Sequence, residues 1–480
     1  MSNLRQGWIR IPLSQIGKWS SGGTPSRRNS EYFGKGVPWV KSGDLPDGPI
    51  TVTEEQITEL GLNNSSAKLM PAGTISLALY GATIGKLGVM TFPAATNQAC
   101  ANVVPDERLI DPQYLFFYLM SERDALINKG QGGAQPNISQ QIVKAHDILL
   151  APLNEQRRIV GRLEKLLSRV NTAQERLATF PRTLKRFRQS VIAAACAGKL
   201  TAVWRDGNPI EETAFDFVQR IHAERIQRHQ MALTQSLTNG GRRPKKGSNN
   251  DFVADINGDL NTLLLGWWVT GIGDICDCLD RLRVPINKGE RLRRQGCIPY
   301  YGANGQVGNI DDYIFDEDLV LVVEDETFIG REKPFSYVIK GKTWVNNHAH
   351  VLRPLGGMSA EFLNILLSYY DFTPLTSGTT GRRKLNQEAL VNAPIRLPPF
   401  NEQHEIVRRV ETLFKTADAL EGRYLKAKAH VDKLTQSILA KAFRGELVPQ
   451  DPSDEPASVL LERITSERNG SAVVKRRSRK

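Results

Sequence analysis

Apolar residues recur at alternating steps of three and four along two stretches of the chain, 152–200 and 399–447. The stretches align residue by residue with a constant displacement of 247 and no insertion. They open with the related sequences Pro152-Leu153-Asn154-Glu155-Gln156 and Pro399-Phe400-Asn401-Glu402-Gln403. A duplication of this length has to be recognised before a fold is predicted, because it relates one half of the chain to the other.

The recurring positions predict two long helices, each with one narrow apolar seam. A sustained 3.5-residue repeat produces such a seam, and a partner helix is needed to bury it. Two matching seams in one chain predict that the helices pair with each other. The alternative is two separate amphipathic helices, each lying on its own domain, but these usually carry a broader apolar stripe. The seam residues are Ile159, Leu163, Leu166, Val170, Leu177, Ile406, Val410, Leu413, Leu420 and Tyr424.

One residue departs from the repeat. Pro181 lies inside the first seam, where the second copy has Lys428. A proline inside a helix removes a backbone hydrogen bond and clashes with the preceding turn, so a kink or short break is expected near residues 179–181. The apolar pattern continues across the proline, which favours a kinked helix over two separate helices.

Residues 1–150 and 261–396 predict two globular regions of mixed strands and helices. Short apolar runs bounded by Gly and Pro predict strands in both regions. These runs are Val37–Val40, Ile75–Tyr80, Leu319–Val323, Tyr337–Ile339 and Ala349–Leu352. Gly7-Trp8 in the first region is echoed by Gly266-Trp267 in the second, whereas the central segments do not match. The two regions are therefore predicted to share a frame and to read different targets.

The remaining segments connect and terminate these parts. A connector contains a predicted helix at Glu211–Gln235 and a basic linker at Gly240–Ser248, interpreted as a solvated tether in preference to a DNA contact. A short helix at Ser458–Arg468 and a disordered basic tail are predicted after the second long helix. The predicted order is globular region 1–150, spacer helix 151–202 with its kink near 181, connector 203–260, globular region 261–396, spacer helix 397–450, and short helix with tail 451–480.

The charge of the chain favours a polyanionic partner. Lys and Arg total 63 against 51 Asp and Glu, a formal net charge of +12, and nucleic acid is the usual partner of a basic protein. No apolar run of about 18 residues and no signal-peptide core occurs, which predicts a soluble, intracellular protein. The five cysteines lack the spacing of a zinc ribbon or of a secreted disulfide framework, so reduced thiols are expected.

Several stretches resemble catalytic or cofactor sites without meeting their requirements. Gly81–Leu87 resembles a phosphate loop but is one residue short and ends in Leu. Leu397 stands where the Pro-Pro-aromatic motif of an amino-methyltransferase needs a hydrogen-bond acceptor. His348 and His350 have no carboxylate or cysteine at ligand spacing, and the acidic run Glu324–Glu326 has no partnered lysine and is interpreted as a solvated strand end. No catalytic or metal site is therefore predicted.

The order of variable region, Asn-Glu-Gln helix, second variable region and second Asn-Glu-Gln helix resembles the specificity (S) subunit of type I restriction–modification enzymes. The resemblance covers nearly the whole chain. It is supported by Gly22-Gly23-Thr24-Pro25, Pro38-Trp39-Val40, Tyr300-Tyr301-Gly302-Ala303-Asn304-Gly305, Lys185-Arg186-Phe187-Arg188-Gln189-Ser190-Val191 and Ala442-Phe443-Arg444-Gly445-Glu446-Leu447. It implies an α+β protein in which two target-recognition domains are separated by two conserved helices packed as an antiparallel coiled coil, with an internal pseudo-two-fold repeat.

The resemblance also implies a function and a set of partners. Each recognition domain would read one half of a split, asymmetric target in double-stranded DNA. The helices would fix the gap and carry two methyltransferase (M) subunits, which restriction (R) subunits join in the cytoplasm. S-adenosylmethionine, ATP and magnesium would belong to those partners, and this non-catalytic chain would bind none of them. The alternatives are a self-contained DNA methyltransferase or endonuclease, and a coiled-coil scaffold without a DNA role.

Loop residues that can bond phosphates or base edges are the predicted DNA contacts. In the first region they are Thr24, Ser26, Arg27, Lys41, Tyr80, Lys86, Gln135 and Asn137. In the second region they are Tyr301, Asn304, Asn346, Asn347, Thr379, Arg382, Arg383 and Lys384. The alternative for each of them is a loop side chain that contacts only water.

Overall fold

The structure is a computed structural model that describes residues 4–130, 137–238, 263–326, 328–331, 333–379 and 382–477. The predicted contact Gln135 and the predicted basic linker near 240–248 lie outside the described residues. The chain divides into a first unit, Met1–Ala178 with Leu425–Lys480, and a second unit, Thr179–Tyr424. Each long helix therefore begins in one unit and ends in the other. None of the described helices is long and apolar enough to cross a membrane.

Among its described residues, the first unit has ten short strands and four short α-helices before the long helix that follows. The strands are β1 Ile9–Pro12, β2 Gly17–Ser21, β3 Phe33–Val40, β4 Gly48–Ile50, β5 Glu55–Ile57, β6 Ile75–Ala78, β7 Leu87–Met90, β8 Ala95–Thr96, β9 Cys100–Pro105 and β10 Asp147–Leu150. The helices are α1 Glu59–Asn63, α2 Pro112–Ser121, α3 Arg123–Asn128 and α4 Gln140–Ala145, followed by the long α5 Leu153–Cys196.

The second unit repeats this plan. After the connecting helices α6 Ala202–Gly207 and α7 Ala214–Thr238, its strands are β11 Trp268–Gly271, β12 Cys276–Cys278, β13 Ile298–Gly302, β14 Gly305–Ile310, β15 Phe315–Asp316, β16 Leu319–Val323, β17 Asp325–Glu326, β18 Ser336–Ile339, β19 Lys342–Val345, β20 Ala349–Pro354, β21 Ser377–Thr379, β22 Arg382–Lys384 and β23 Pro394–Leu397. Its helices are α8 Ile272–Ile275, α9 Lys288–Arg293, α10 Ala360–Leu367, α11 Gln387–Val391 and the long α12 Phe400–Phe443. The chain then continues into α13 Ala457–Arg477, which is longer than the predicted short helix and includes part of the predicted tail.

The two units share the order of four strands in the main sheet, which confirms the predicted internal repeat. The main sheet has the order β2-β9-β6-β7-β4 in the first unit and β12-β20-β16-β18 in the second. Outside the main sheet each unit has a parallel pair, β3 with β8 or β13 with β19, and the main sheet of the first unit contains a further parallel pair, β4 with β7. An antiparallel pair, β1 with β10 or β11 with β23, precedes each long helix. The shared frame thus extends into the central segments whose sequences do not match.

The two long helices pack antiparallel, as predicted, and this can be followed inside each unit. In the second unit the Phe180 ring stacks on Tyr424 with centroids 5.0 Å apart, and Arg188 reaches Asp418 at 2.6 Å. Further along α5, Ile192 lies in the same core cluster as Ile406 of α12. In the first unit the start of α5, at Ile159 and Leu163, shares a core with the end of α12, at Leu439 and Ala442. Residue numbers rise along one helix while they fall along the other, so the pairing is antiparallel.

The seam residues differ in burial along the helices. Five are buried, namely Ile159, Leu163, Val170, Ile406 and Val410. Leu166, Leu177, Leu413 and Tyr424 are partly buried, whereas Leu420 is 42% exposed and does not fit the predicted seam. A helix of 3.6 residues per turn drifts by about 20° per heptad from a 3.5-residue repeat. Over 44 residues this drift is enough to turn single seam positions out of the contact.

The helix α5 runs from Leu153 to Cys196 as one element, so Pro181 lies inside it without interrupting it. The short break considered near residues 179–181 does not occur. The proline side chain is exposed, so its ring meets solvent and displaces no core residue. Neighbouring turns packed into the two cores supply the stability that the missing backbone hydrogen bond removes.

A buried carboxylate fixes the start of each long helix. Glu402, 1% exposed, accepts hydrogen bonds from Trp267 Nε1 at 2.9 Å, Thr201 Oγ1 at 2.6 Å and Arg205 Nη2 at 2.5 Å. Its counterpart Glu155, also 1% exposed, accepts from Trp8 Nε1 at 2.9 Å. The Asn-Glu-Gln motif therefore ties each Gly-Trp segment to the first turn of a long helix.

Because the two carboxylates have different partners, we expect their substitution to lower the free energy of unfolding by different amounts. Glu402→Ala leaves Arg205, whose side chain is only 14% exposed, without its anion, so we expect a loss of about 3–5 kcal/mol in the free energy of unfolding. Glu155 pairs with no arginine among the described residues, so Glu155→Ala should cost less, about 1–3 kcal/mol. Urea denaturation checks both, with the exposed Glu411→Ala on α12 as the control that changes little. Equal losses for the two buried positions would contradict the role given to Arg205.

Pro181 gives a second prediction. Pro181→Lys introduces the residue of the second copy and restores the backbone N–H, so we expect an increase of about 1–3 kcal/mol in the free energy of unfolding. Thermal unfolding compares this variant with Arg182→Lys, an exposed change in the same turn. A lower melting temperature for Pro181→Lys would show that the helix requires the proline.

Candidate nucleic-acid interface

The predicted contacts of the first unit collect at one end of its main sheet. At this end, called the loop end, β2 and β6 finish while β9 and β7 begin, as shown by the pairs Ser21 with Ala101 and Leu77 with Leu87. Backbone hydrogen bonds join the loops there. Gly23 N donates to Thr96 O at 2.8 Å and Ile138 N donates to Leu79 O at 2.8 Å. The loop end therefore brings together the segments that carry Thr24, Ser26, Arg27, Lys41, Tyr80, Lys86 and Asn137.

Two of these residues are held by carboxylates. Arg27 pairs with Glu55 at 2.7 Å and lies 4.3 Å from the centroid of the Phe33 ring. Lys41 pairs with Glu54 at 2.7 Å and with Glu55 at 3.1 Å. The hydrogen bond from Arg27 is the main cause that lowers the pKa of Glu55, and the bond to Glu54 is the main cause that raises the pKa of Lys41. Both shifts favour the charged forms of Glu55 and Lys41, and a phosphate would have to compete with the carboxylates.

The predicted contacts of the second unit collect at the corresponding loop end, where β12 and β16 finish and β20 and β18 begin. Asn346 N donates to Tyr301 O at 3.1 Å, and Leu385 N donates to Glu324 O at 2.8 Å. Together with a third bond, from Glu324 N to His348 O at 3.1 Å, they join three segments, which carry Tyr301 and Asn304; Asn346 and Asn347; and Thr379, Arg382, Arg383 and Lys384. The strands β21 and β22 place the last four on one hairpin.

Some side chains of this second loop end are exposed, whereas others are bonded to neighbouring residues. Asn347 is exposed, whereas Asn304 Oδ1 accepts from Arg331 at 2.9 Å. Arg383 donates to the hydroxyl and the carbonyl oxygen of Thr376, both at 2.6 Å. Its guanidinium is therefore held by the residue that precedes β21. Lys384 is exposed but pairs with Glu324 at 3.1 Å.

Glu324 corrects the interpretation of the acidic run as a solvated strand end. Its side chain is 9% exposed and forms ion pairs with Lys384 and Arg283. The sequence could not reveal these partners, because they lie 60 and 41 residues away along the chain and are brought to it by the fold. Glu324 therefore anchors the loops internally, and only Asp325 and Glu326 belong to the short strand β17.

The fold also brings a cysteine and a carboxylate to His350, which the spacing of the sequence did not predict. Ligand atoms of Cys278, Asp280 and His350 lie within 4.8 Å of one another, the one such group of metal-ligating side chains in the described parts of the chain. His350 Nδ1 lies 2.5 Å from Asp280 Oδ2, and Arg283 lies 3.4 Å from the same carboxylate. Burial opposes ionisation of Asp280, but the bonds from His350 and Val351 N outweigh it and lower its pKa. Arg283 already supplies the positive charge that a cation would bring, so the group is an ion-pair network.

The glycine-rich stretch Gly81–Leu87 forms the turn between two strands. Gly81 and Gly85 adopt φ values of 85° and 79°, and the chain continues into β7. A phosphate loop leads into a helix whose N–H groups face the phosphate. This turn therefore presents Lys86 at the loop end without forming a nucleotide cradle.

Several cations at the loop ends were missed by the sequence analysis. Arg28 is exposed beside Arg27, and the connection between β12 and β13 exposes Arg281, Lys288 and Arg293. The signals were the doublet Arg27-Arg28 and the dense basic run that ends at Arg294. They were overlooked because the second set of predicted contacts began only at Tyr301, after this connection.

The comparisons with known proteins agree with one another. A family model described as the type I restriction modification DNA specificity domain matches residues 5–179 and 265–429. The Escherichia coli EcoDI specificity subunit is 28% identical over 482 residues, covering 97% of this chain and 96% of that protein. The EcoKI specificity subunit of Escherichia coli (strain K12) is 26% identical over 491 residues, covering 98% and 97%.

Two solved structures share the fold. A chain from a structure of a type I R-M system has a TM-score of 0.61 at 18% identity, and the match covers 93% of this chain and 100% of that one. The HsdS subunit from Thermoanaerobacter tengcongensis has a TM-score of 0.54 at 18% identity, with coverage of 92% and 98%.

The ion pairs of the first loop end predict an effect on DNA binding. Replacing Glu54 and Glu55 with Gln releases Arg27 and Lys41, so we expect tighter binding to a mixed-sequence duplex. The slope of log K against log salt should steepen by up to about 0.9 for each released cation. Fluorescence anisotropy over a salt series measures this, with the double change of the exposed Glu59 and Glu107 to Gln as a charge-matched control. If the control changes binding as much, the carboxylates do not restrain these cations.

Proposed function

The chain belongs to the type I restriction–modification DNA specificity family, and on this premise we propose that it reads a split, asymmetric target in double-stranded DNA, one half with each unit. The observation that supports this proposal best is the common frame with unlike loops. Each unit carries its loops at the corresponding end of its own main sheet, yet the side chains at the two ends differ. A frame repeated twice presents two readers to one duplex, and unlike loops select unlike half-sites.

The chemistry of the two loop ends supports different readout. The first offers Arg27 over an aromatic ring, with Lys41 beside Glu54 and Glu55. The second offers amides, including the exposed Asn347, and a hairpin with Lys384. Arginine and lysine favour guanine edges, whereas asparagine favours adenine. We therefore expect different bases in the two halves and no palindromic target.

The long helices are proposed to set the gap between the half-sites. Each contains 44 residues, about 66 Å at 1.5 Å per residue. Half-sites on one face of a duplex are separated by about 34 Å or a multiple of it. Helices of this length can hold two readers at such a separation, and insertion of whole turns would change the gap without changing either half-site.

Partner subunits are proposed to dock on the same helices. Large apolar side chains on them are exposed, namely Phe187, Leu420 and Leu425. The first unit also has a cleft of about 700 Å³ whose lining includes Phe117 of α2, Leu167 of α5 and Thr435 of α12. Burial of such apolar side chains by a partner would be favourable. We propose that two methyltransferase subunits cover them and that restriction subunits join this assembly in the cytoplasm.

Catalysis is assigned to those partners. The glycine-rich turn of this chain leads into a strand, and Leu397 is buried where a methyltransferase motif needs a polar side chain. We therefore propose that this chain is non-catalytic, and that S-adenosylmethionine, ATP and magnesium bind to the methyltransferase and restriction subunits. Isolated chain should then fail to bind S-adenosylmethionine in calorimetry, whereas the complex with its methyltransferase should bind it.

Methylation mapping in cells tests the proposal. Cells that express this chain with its candidate methyltransferase partner should methylate one split, asymmetric motif. Deletion of this chain should abolish the modification, because the methyltransferase then has no reader. Expression of the chain alone is the control and should leave DNA unmethylated. A palindromic motif, or one that survives the deletion, would overturn the proposed reading role.

A further inference from the structure

The connection between β12 and β13 in the second unit occupies the position of a predicted DNA loop in the first unit. In the first unit the corresponding connection, between β2 and β3, carries Thr24, Ser26 and Arg27. Both connections leave the first strand of the main sheet at the loop end. They lead to β3 in the first unit and to β13 in the second, which each pair in parallel with a later strand. The second connection is longer and contains the helix α9. Its residues 281–294 are called the basic connection below.

The basic connection has a high density of positive charge. Its only carboxylate is Glu290, and its cations are Arg281, Arg283, Lys288, Arg291, Arg293 and Arg294. The corresponding stretch of the first unit, residues 22–32, has two arginines and one glutamate. Of the two connections, the second is therefore better suited to lie against a row of phosphates.

Three of these cations hold the connection in place. Arg283 pairs with the buried Glu324 and donates to Ala349 O at 2.7 Å. Arg291 lies 4.9 Å from the centroid of the Tyr300 ring, and Arg294 pairs with Asp311 at 2.8 Å. These side chains are committed to the protein and are not available to a ligand without disturbing the fold.

Backbone contacts fix the same segment. Trp344 Nε1 donates to Val284 O at 2.8 Å, and Tyr300 OH donates to Ile286 O at 3.3 Å. The Ile286 side chain is buried, and Asn287 caps α9 by accepting from Glu290 N at 2.9 Å. The connection is therefore pre-organised, which lowers the entropy that its ordering on binding would cost.

The other three cations remain available. Arg281, Lys288 and Arg293 are exposed, and none of them forms an ion pair within the described part of the chain. Arg293 has only a long contact of 3.5 Å to Gly289 O of its own helix. This differs from Arg27 and Lys41 in the first unit, whose charges are paired with carboxylates. Exposed aliphatic side chains, Leu282, Val284 and Leu292, accompany the available cations.

We propose that the basic connection is the main phosphate-binding element of the second unit, with Arg281, Lys288 and Arg293 contacting the DNA backbone beside the half-site that this unit reads. The inference rests on the proposed function and deepens it. The anchored cations shape the segment and the available cations bind phosphates, so affinity and base readout are carried by different residues. The base-reading residues lie on the neighbouring segments at Asn346, Asn347 and Lys384.

The test uses the complex of the full chain with its methyltransferase subunits. Arg281, Lys288 and Arg293 are replaced with Gln together, and binding to a mixed-sequence duplex and to a duplex with the mapped motif is measured over a salt series. We expect the slope of log K against log salt to become shallower by about 2–3 for both duplexes, since each phosphate contact contributes roughly 0.9. The methylated motif should stay the same, because phosphate contacts carry no sequence information.

Single substitutions provide the matched control. Arg293→Gln should make the slope shallower by about 0.9, whereas Arg396→Gln, an exposed arginine on the strand that leads into α12, should leave it unchanged. Thermal unfolding and co-purification with the methyltransferase establish that the variants fold and assemble. An unchanged slope for the triple variant, with normal motif-specific binding by the wild-type complex, would overturn this inference alone. A wild-type complex that shows no motif-specific binding would instead overturn the proposed function.

Discussion

A buried carboxylate in the first turn of each long helix is the constraint on which the rest of the structure depends. Glu155 and Glu402 lie where the helix dipole favours a negative charge, and each accepts from an indole N–H far away in sequence. The two bonds join residues separated by 147 and 135 positions. Each bond therefore closes a whole globular region onto the helix that follows it, and the strand pair beside it fixes the direction in which the helix leaves.

The two halves satisfy this shared constraint with different residues. Glu402 receives Thr201 and Arg205 from the segment that follows α5, whereas the positions displaced by 247 after α12 are Val448 and Pro452. Near Glu155 the neighbouring donor is Gln450, at 3.5 Å. The Asn-Glu-Gln opening of each helix has thus been kept while the surroundings changed. The hydrogen bond between the carboxylate and the indole is common to both helix starts, whereas the additional donors differ between them.

Periodicity and duplication made the long helices and their pairing predictable from sequence. A 3.5-residue repeat sustained over about forty residues is explained by a long helix packed along one seam, and the pattern continues across Pro181.

The candidate interface was predictable only in part, because ion pairs depend on contacts across long sequence separations. Arg27 could be chosen as a basic loop residue, but its pairing with Glu55 could not be read from spacing. Glu324 was misread for the same reason, since its partners are supplied by two remote segments. The basic connection could not be predicted as a counterpart of the first loop, because that correspondence follows from the sheet topology and the central sequences do not match.

The separation of frame and loops has a physical basis in where the stabilising contacts lie. The core of each unit is formed by the sheet, by α2 or α10 and by parts of both long helices. The surface of the loop ends adds ion pairs such as those of Arg27, Lys41 and Lys384. Substitutions there change charge and hydrogen-bonding pattern at small cost to the fold, because exposed pairs contribute about 0–1 kcal/mol each. A buried anchor such as Glu324 is the exception, since several segments of the second loop end meet at it. Changes of DNA target can therefore accumulate around the anchors while the anchors, the frame and the helix junctions persist.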